Sequence, residues 1–583
     1  MTFRIGSEPS DVWLGLATPS SQSYFEKHRL DWMSERFNAD VKGEQSQSRA
    51  RFFVPERLIS VEEPSPRLVL RTDSNCFGVA SGTPTYAALS YCWGSADDAK
   101  QQLTTTTASL AQRQKAIANN QMTEVVKDAV VVTRALKIPY LWIDALCILQ
   151  DDISDWERQC VDIANLYANA SVTICAASSI TCQQGFLRQR GLRIRIPFQS
   201  VTRTNMSGSY YLQFKYAGLP RGDLFSEEAA DAHYNRWGNR GWVFQESFSA
   251  SRKLLFGNAN VHYYSPSSVH SMGSGARKRI DYLALSRDSS QDREEIYKSW
   301  AYILHEYSRF EDYSFTKTKD ILPALSGLAS HYYRWIPDDF HAGLWKGDLF
   351  RGLMWYSDGD SKTQPSRQCC IPTSLMRHYD CPVPSWSPLG RGMVVTYGAM
   401  YKDDECLASF QPEYKSLKTD TKPAGINPFG EIKNNWGLRV RSHVLDLAML
   451  NDGNLEVADT FNDIGCRGTL VYKGKQVGCF ELDFSYDDSD LDFDFSSDSP
   501  ACMMNEITRF SWVLLGSCKV RNADEPQEKI RRARGACGLI LFPVPNSDKF
   551  CRVGAFFPGF PENHHDGLFL IRKLGEIKTV TIV

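Results

Sequence analysis

The pattern of apolar and polar positions changes character after the first seventy-odd residues. Up to Thr72 the chain is mixed and polar, and Gln45-Ser46-Gln47-Ser48 and Pro64-Ser65-Pro66 read as loop. Tyr86-Ala87-Ala88-Leu89-Ser90-Tyr91-Cys92-Trp93-Gly94 is an apolar and aromatic run stopped by glycine, which predicts a buried strand. Thr123 can cap a helix running to Leu136, with Val125, Val126, Ala129, Val130 and Leu136 at helical spacing. Pro139 cannot continue it. Tyr140–Leu149 is nearly continuous in apolar residues, as expected of a strand buried on both faces. Ser154-Asp155-Trp156-Glu157 has the spelling of a capping box. Trp156, Cys160, Ile163, Ala164 and Tyr167 then fall on one helix face, which makes Trp156 a core residue. Ser171–Ala177 predicts another strand. Strand and helix in alternation predict an α/β fold with a parallel sheet, right-handed crossovers and flanking helices.

Farther along, Arg240–Glu246 predicts a helix or turn, and Ser290–Tyr307 and Asp320–Tyr333 predict helices. After about Tyr379 the text becomes short strands and turns. The boundaries that follow are an N-terminal extension (1–75), an α/β core (76–270), a helical segment (271–380) and a β-rich C-terminal region (381–583). Phe484–Ser499, with Asp487, Asp488, Asp490, Asp492, Asp494 and Asp498, reads as a solvated insertion.

Composition narrows the class. Apolar residues make up 42% and charged residues 23% of 583, a globular balance that excludes a fibre or a mostly disordered chain. Lys and Arg number 66 against 68 Asp and Glu, so no large electropositive surface for nucleic acid is expected. The N-terminus lacks the apolar stretch of a signal peptide, and no run approaches the ~20 apolar residues of a membrane span. The 16 cysteines are spread along the chain and none forms a C-x-x-C pair. The expectation is a cytoplasmic protein with reduced thiols and no metal.

Three segments carry a resemblance. Tyr86–Gly94 resembles the first signature of the fungal heterokaryon-incompatibility (HET) domain. Leu141–Asp152, continuing through Asp155-Trp156 to Tyr167-Ala168-Asn169-Ala170, resembles the second, and Arg240–Glu246 the third. Gly185–Arg188, Asp320–Ala329, Ala342–Trp345 and Pro384–Ser387 resemble segments that follow the domain in such proteins, although Pro388-Leu389-Gly390 replaces the usual Trp-Ala-Ser. The resemblance implies a sheet like that of TIR domains, hence flavodoxin-like, and a role in self/non-self recognition ending in cell death. It also implies a link to NAD, which some TIR domains hydrolyse with a glutamate on the helix after a central strand. Gln159 and Cys160 stand where such an acid would follow Trp156.

The residues themselves suggest where chemistry lies. Ligands of open parallel sheets collect at the carboxyl ends of the strands. Those ends carry Cys92, Trp93, Gly94, Gln150, Asp151 and Asp152, and a helix starting at Ser154 would point its N-terminus at an anionic group there. Glu246 ends an aromatic stretch and is the leading acid, with an N-terminal helix charge or an ion pair to Arg240 or Arg252 as its structural alternative. Asp151 and Cys92 are the other catalytic candidates, and Cys92 needs a base that His262 or His270 could supply. Trp93, Gly94, Gln150, Asp152, Gln159, Arg240 and Gln245 are candidate ligand-binding residues. Asp144, inside an apolar run, needs a partner, and Arg240 is a candidate. Asp151-Asp152-Ile153-Ser154-Asp155 matches the Asp-Asp-x-x-Asp magnesium pattern, but a cap at Ser154 would keep its carboxylates off one helix face. His564-His565-Asp566 reads as a solvated turn, and the basic run Lys529–Arg534 as an exposed face.

The leading function is an incompatibility effector with a nucleotide site, NAD being the candidate substrate and no cofactor being required. The alternatives are an enzyme of fungal secondary metabolism acting on a small molecule and a non-catalytic module that signals by self-association.

Overall fold

The structure is a computed structural model. It describes residues 2–7, 27–44, 53–73, 85–187, 193–201, 207–215, 231–232, 235–258, 260–272, 276–278, 292–308, 318–357, 382–389, 395–397, 409–450, 454–458, 467–483, 508–519, 534–558 and 565–583. The loop at Gln45–Ser48, the acidic run Phe484–Ser499, Arg188, His564 and residues 529–533 of the basic run lie outside the described residues. Two compact units are formed. The first comprises Met1–Asp288, Asp312–Phe315 and Ala324–His331, and the second Ser289–Glu311, Thr316–Pro323 and Tyr332–Val583.

In the first unit, strands β1 (Thr2–Ser7), β2 (Arg57–Ser60), β3 (Arg67–Leu70), β4 (Tyr86–Ser90), β5 (Tyr140–Trp142), β6 (Val172–Cys175), β7 (Arg193–Gln199), β8 (Ser207–Lys215), β9 (Lys253–Phe256), β10 (Val261–Tyr264), β11 (Ser268–Ser271) and β12 (Ala276–Lys278) form two sheets. The small sheet has the order β1-β8-β7, and the large one β12-β11-β10-β9-β6-β4-β5-β2-β3. The pairs β5–β4, β4–β6 and β6–β9 are parallel, with Ala88 opposite both Trp142 and Thr173. The remaining pairs of the large sheet are antiparallel. The sheet is therefore mixed, where the sequence pattern predicted a parallel one. Short hairpins at both flanks add strands without needing crossover helices. Arg57–Leu70, placed by sequence in the N-terminal extension, supplies two strands of this sheet.

The helices are α1 (Lys27–Glu44), α2 (Ala96–Lys100), α3 (Leu110–Lys115), α4 (Glu124–Ala135), α5 (Asp144–Cys147), α6 (Ile153–Asn169) and α7 (Gly241–Ser249). α4 joins β4 to β5, and α6 joins β5 to β6 across the other side of β4. Right-handed crossovers in opposite directions place them on opposite faces. α1 packs against α4, and α7 packs against α6 and β4. Because α6 and α7 precede parallel strands, both start at the carboxyl edge of the sheet. The core between the layers is built from Leu58, Ala87, Leu89, Val125, Leu141, Trp142, Val172 and Ile174 among others.

Two local readings are corrected. Tyr140–Leu149 is not one strand: β5 stops at Trp142, and Asp144 opens a one-turn helix by accepting the Ala145 N–H at 2.6 Å. The apolar run is buried because the turn is buried, not because it is extended. Ser154 is not the cap of α6. Asp152 takes that position and accepts from the N–H of Ser154 (2.9 Å) and of Asp155 (3.2 Å), so Glu157 is no capping-box acid.

The second unit contains helices Arg293–Ser308 and Pro323–Tyr333, the second of which it shares with the first unit, and a ten-stranded sheet. Its strands run from Gln411–Pro412 to Glu576–Ile582, with Ser511–Lys519, Arg534–Pro543 and Lys549–Phe557 as buried central members. A fully buried ion pair between Arg552 and Asp483 lies within it, and the Arg552 guanidinium sits 3.4 Å from the centre of the Trp355 ring. No helix among the described residues is long and apolar enough to cross a membrane.

Candidate functional site

The chain leaving β4 brings Ser90, Tyr91, Cys92 and Trp93 to the carboxyl edge of the sheet. Ser90 points to the α7 side. Its hydroxyl donates to the Glu246 carboxylate and accepts the indole N–H of Trp237 at 2.8 Å. Arg240, which precedes α7, donates to the carbonyl of Tyr91. Trp93 donates its indole N–H to Asp144 Oδ2 at 2.9 Å. Tyr167 of α6 lies beneath, its hydroxyl bonded to the Leu89 carbonyl at 3.2 Å. Two carboxylates, one guanidinium and two tyrosines thus share a centre with the Ser90 hydroxyl and the indoles of Trp93 and Trp237.

Burial sets its electrostatics. Burial pushes the Glu246 carboxyl above the usual range, against the opposing pull of Arg240 and the Ser90 hydrogen bond. Asp144 is raised by the same cause, opposed by Arg240, the Ala145 N–H and Trp93. For Arg240 burial would favour loss of charge, but Glu246, Cys92 and Asp144 outweigh it and hold the guanidinium charged. Tyr91 is raised by burial and by Asp144. Glu246, Ser90, Tyr91 and Trp237 are buried, whereas Asp144, Trp93 and Arg240 stay partly exposed. A carboxyl whose pKa burial raises is suited to general-acid work, and once ionised it can stabilise a developing cation.

The structure brings together part of the set expected from sequence. Glu246, Arg240 and Trp93 meet here. Gln150 reaches the same corner by donating to the Asp144 carbonyl at 3.1 Å. Asp151 is exposed, and its carboxylate accepts the Thr107 N–H at 2.9 Å. Asp152 is occupied as the cap of α6. Gln159 donates to Glu56 at 3.1 Å, and Gln245 accepts the Gly327 N–H at 2.8 Å, so each has a structural task. Gly94 has φ +102°, and a Cβ there would lie 2.6 Å from Asp98 Oδ2. Its lack of a side chain lets the chain turn into α2.

Cys92 does not fit a nucleophile. Its thiol is packed with Cys175, Ala177, Trp237, Val243 and Leu255, and burial pushes it up despite Arg240 and Arg236. His262 is not its base either, being bonded to Asp231 and Ser271. Trp156, expected in the core, is 37% exposed and meets Trp242 edge to face in the first turn of α6. The three carboxylates of the Asp-Asp-x-x-Asp segment diverge. Asp155 pairs with buried Arg57 and accepts the Leu149 N–H at 2.9 Å. Among the described residues no group of three His, Cys, Asp or Glu side chains could hold a metal ion.

Sequence reasoning did not single out Ser90, Tyr91 or Tyr167 as part of this centre. Ser90 was legible in principle, as the polar residue that ends an otherwise apolar strand.

Residues 86–246 match the family model described as heterokaryon incompatibility protein (HET). The chain thus carries a HET domain, and its limits, Tyr86 and Glu246, are the first residue of β4 and the acid of the site. Comparison with curated proteins and with solved structures gave no match.

Proposed function

We propose that this chain is a fungal incompatibility effector, triggering cell death through the centre around Glu246, with a nucleotide such as NAD as substrate. The observation that supports it is a buried carboxyl, Glu246, held by Ser90 within the electrostatic reach of Arg240 and Asp144 at the carboxyl edge, inside the HET domain. In this reading Arg240 holds the ligand's phosphate oxygens. Glu246, having released its proton to solvent, stabilises positive charge on the ribosyl carbon as the bond to the pyridinium nitrogen breaks and neutral nicotinamide departs; water then adds to that carbon and loses a proton to Glu246.

The test is release of nicotinamide from NAD by the purified full chain. Wild type should turn over, and Glu246→Gln should lose about 10²–10³ in rate at unchanged thermal stability. A wild type that releases no nicotinamide would overturn the nucleotide reading. Expression in a fungal host, scored for death of cells carrying wild type but not Glu246→Gln, tests the effector role separately.

A further inference from the structure

Beside this centre lies a second chain of polar groups. Asp231 Oδ2 is 3.0 Å from His262 Nε2, and His262 Nδ1 is 2.7 Å from Ser271 Oγ. His262 on β10 and Ser271 on β11 are directly opposed in the antiparallel register, so their side chains share a face. One neutral tautomer satisfies both contacts: Nε2–H donates to the carboxylate, and Nδ1 accepts the serine proton. Asp231 also accepts the Asn260 N–H at 2.9 Å. Gly257 makes room for it, since a Cβ there would lie 2.1 Å from Asp231 Cγ. Asp231 and His262 are 1% and 0% exposed, and Ser271 is only partly buried. The imidazole and its carboxylate are dry, and Ser271 keeps part of its surface exposed.

Position strengthens the case. Val261 pairs with Phe256, the last residue of β9, so β10 begins at the carboxyl edge of the parallel strands. His262 and Ser271 therefore sit at the edge where open α/β sheets take their ligands. Tyr264, Val269 and Ala232 supply apolar surroundings.

We propose that Ser271, His262 and Asp231 form a nucleophilic serine centre for uncharged esters or thioesters. Ser271 Oγ attacks the acyl carbon while its proton passes to His262 Nδ1, and the imidazolium is stabilised by Asp231. The carbon–oxygen or carbon–sulfur bond of the substrate breaks, and the leaving alcohol or thiol takes the proton from Nδ1. Water then attacks the acyl-serine by the reverse proton path, yielding the free acid and Ser271.

The probe is an alkyl fluorophosphonate, which phosphonylates an activated serine with loss of fluoride. Full-length wild type should be labelled at Ser271, as read by peptide mass spectrometry, and Ser271→Ala should not. His262→Gln should slow labelling about 10²-fold or more, the contribution of a general base. Should His262→Gln fail to fold, Asp231→Asn keeps the shape and a hydrogen bond to the ring, and a tenfold or greater slowing supports the proposal. Wild type left unlabelled at Ser271, or labelling that ignores both His262→Gln and Asp231→Asn, would show these groups to be a structural hydrogen-bond chain only.

Discussion

The Ser90 hydroxyl is bonded to the Glu246 carboxylate across 156 positions of sequence, tying the end of β4 to the middle of α7. Burial raises the Glu246 pKa above its ordinary 4.5, so the folded chain keeps this proton to higher pH than the unfolded chain. The group's contribution to stability is then greatest below 4.5 and falls as pH rises through the folded-state value. Glu246→Gln removes that titration. The melting temperature of the variant relative to wild type should therefore increase with pH over this window. A difference that stays flat with pH would contradict the shift.

Asp155 behaves in the opposite sense. Although burial opposes it, Arg57, the Leu149 N–H and Arg158 hold its carboxyl below 3.8. Its stabilisation is present above 3.8 and disappears as pH falls through the folded-state value. Asp155→Asn should cost about 1–3 kcal/mol near neutrality, because it removes the buried partner of Arg57 and leaves that guanidinium only Glu56 at 3.6 Å and the Cys147 carbonyl. Chemical denaturation at pH 7 and at the acid limit of folding checks this, and the two proteins should converge in acid.

The two candidate caps of α6 are separable. Asp152→Ala should lower stability by about 0.5–2 kcal/mol, whereas Ser154→Ala should change little, since Ser154 contributes its N–H and not its side chain to the cap. Equal losses, measured by urea unfolding, would return the cap to Ser154.

Cys92 should resist alkylation. With the thiol buried and its pKa raised, iodoacetamide at pH 8 should leave it unmodified in the native chain and modify it after unfolding. Rapid native labelling would restore Cys92 as a nucleophile.

Gly94→Ala should destabilise by about 1–3 kcal/mol, from its positive φ and from contact with Asp98 and Thr181. Thermal unfolding measures it, and a neutral result would mean the turn re-forms with another φ.

Much of the central architecture could be read from periodicity, because β4, α4, α6 and β6 are long or apolar enough to carry it. What failed was short or competitive. The one-turn helix at Asp144 is too brief to show a period, and its signal was an aspartate inside an apolar run. At α6 two capping residues lay two positions apart, and the capping-box spelling favoured the wrong one. The site was legible at Glu246, Arg240 and Trp93, which lie in the motif segments. It was not legible at Asp151, whose nearest partner, Thr107, is set by a loop contact. Asp231, His262 and Ser271 carry no local pattern, because only the strand register brings them together.

The parallel strands have neighbours outside the motif-bearing span. β5 pairs with β2, β6 pairs with β9, and Gln245 receives its hydrogen bond from Gly327. A fragment trimmed to residues 86–246 would therefore have raw margins on both sides of a three-stranded sheet and an orphaned amide on α7. Exposed strand margins recruit other chains. The portion of this protein that can be moved into another context is thus wider than the portion that its motifs mark.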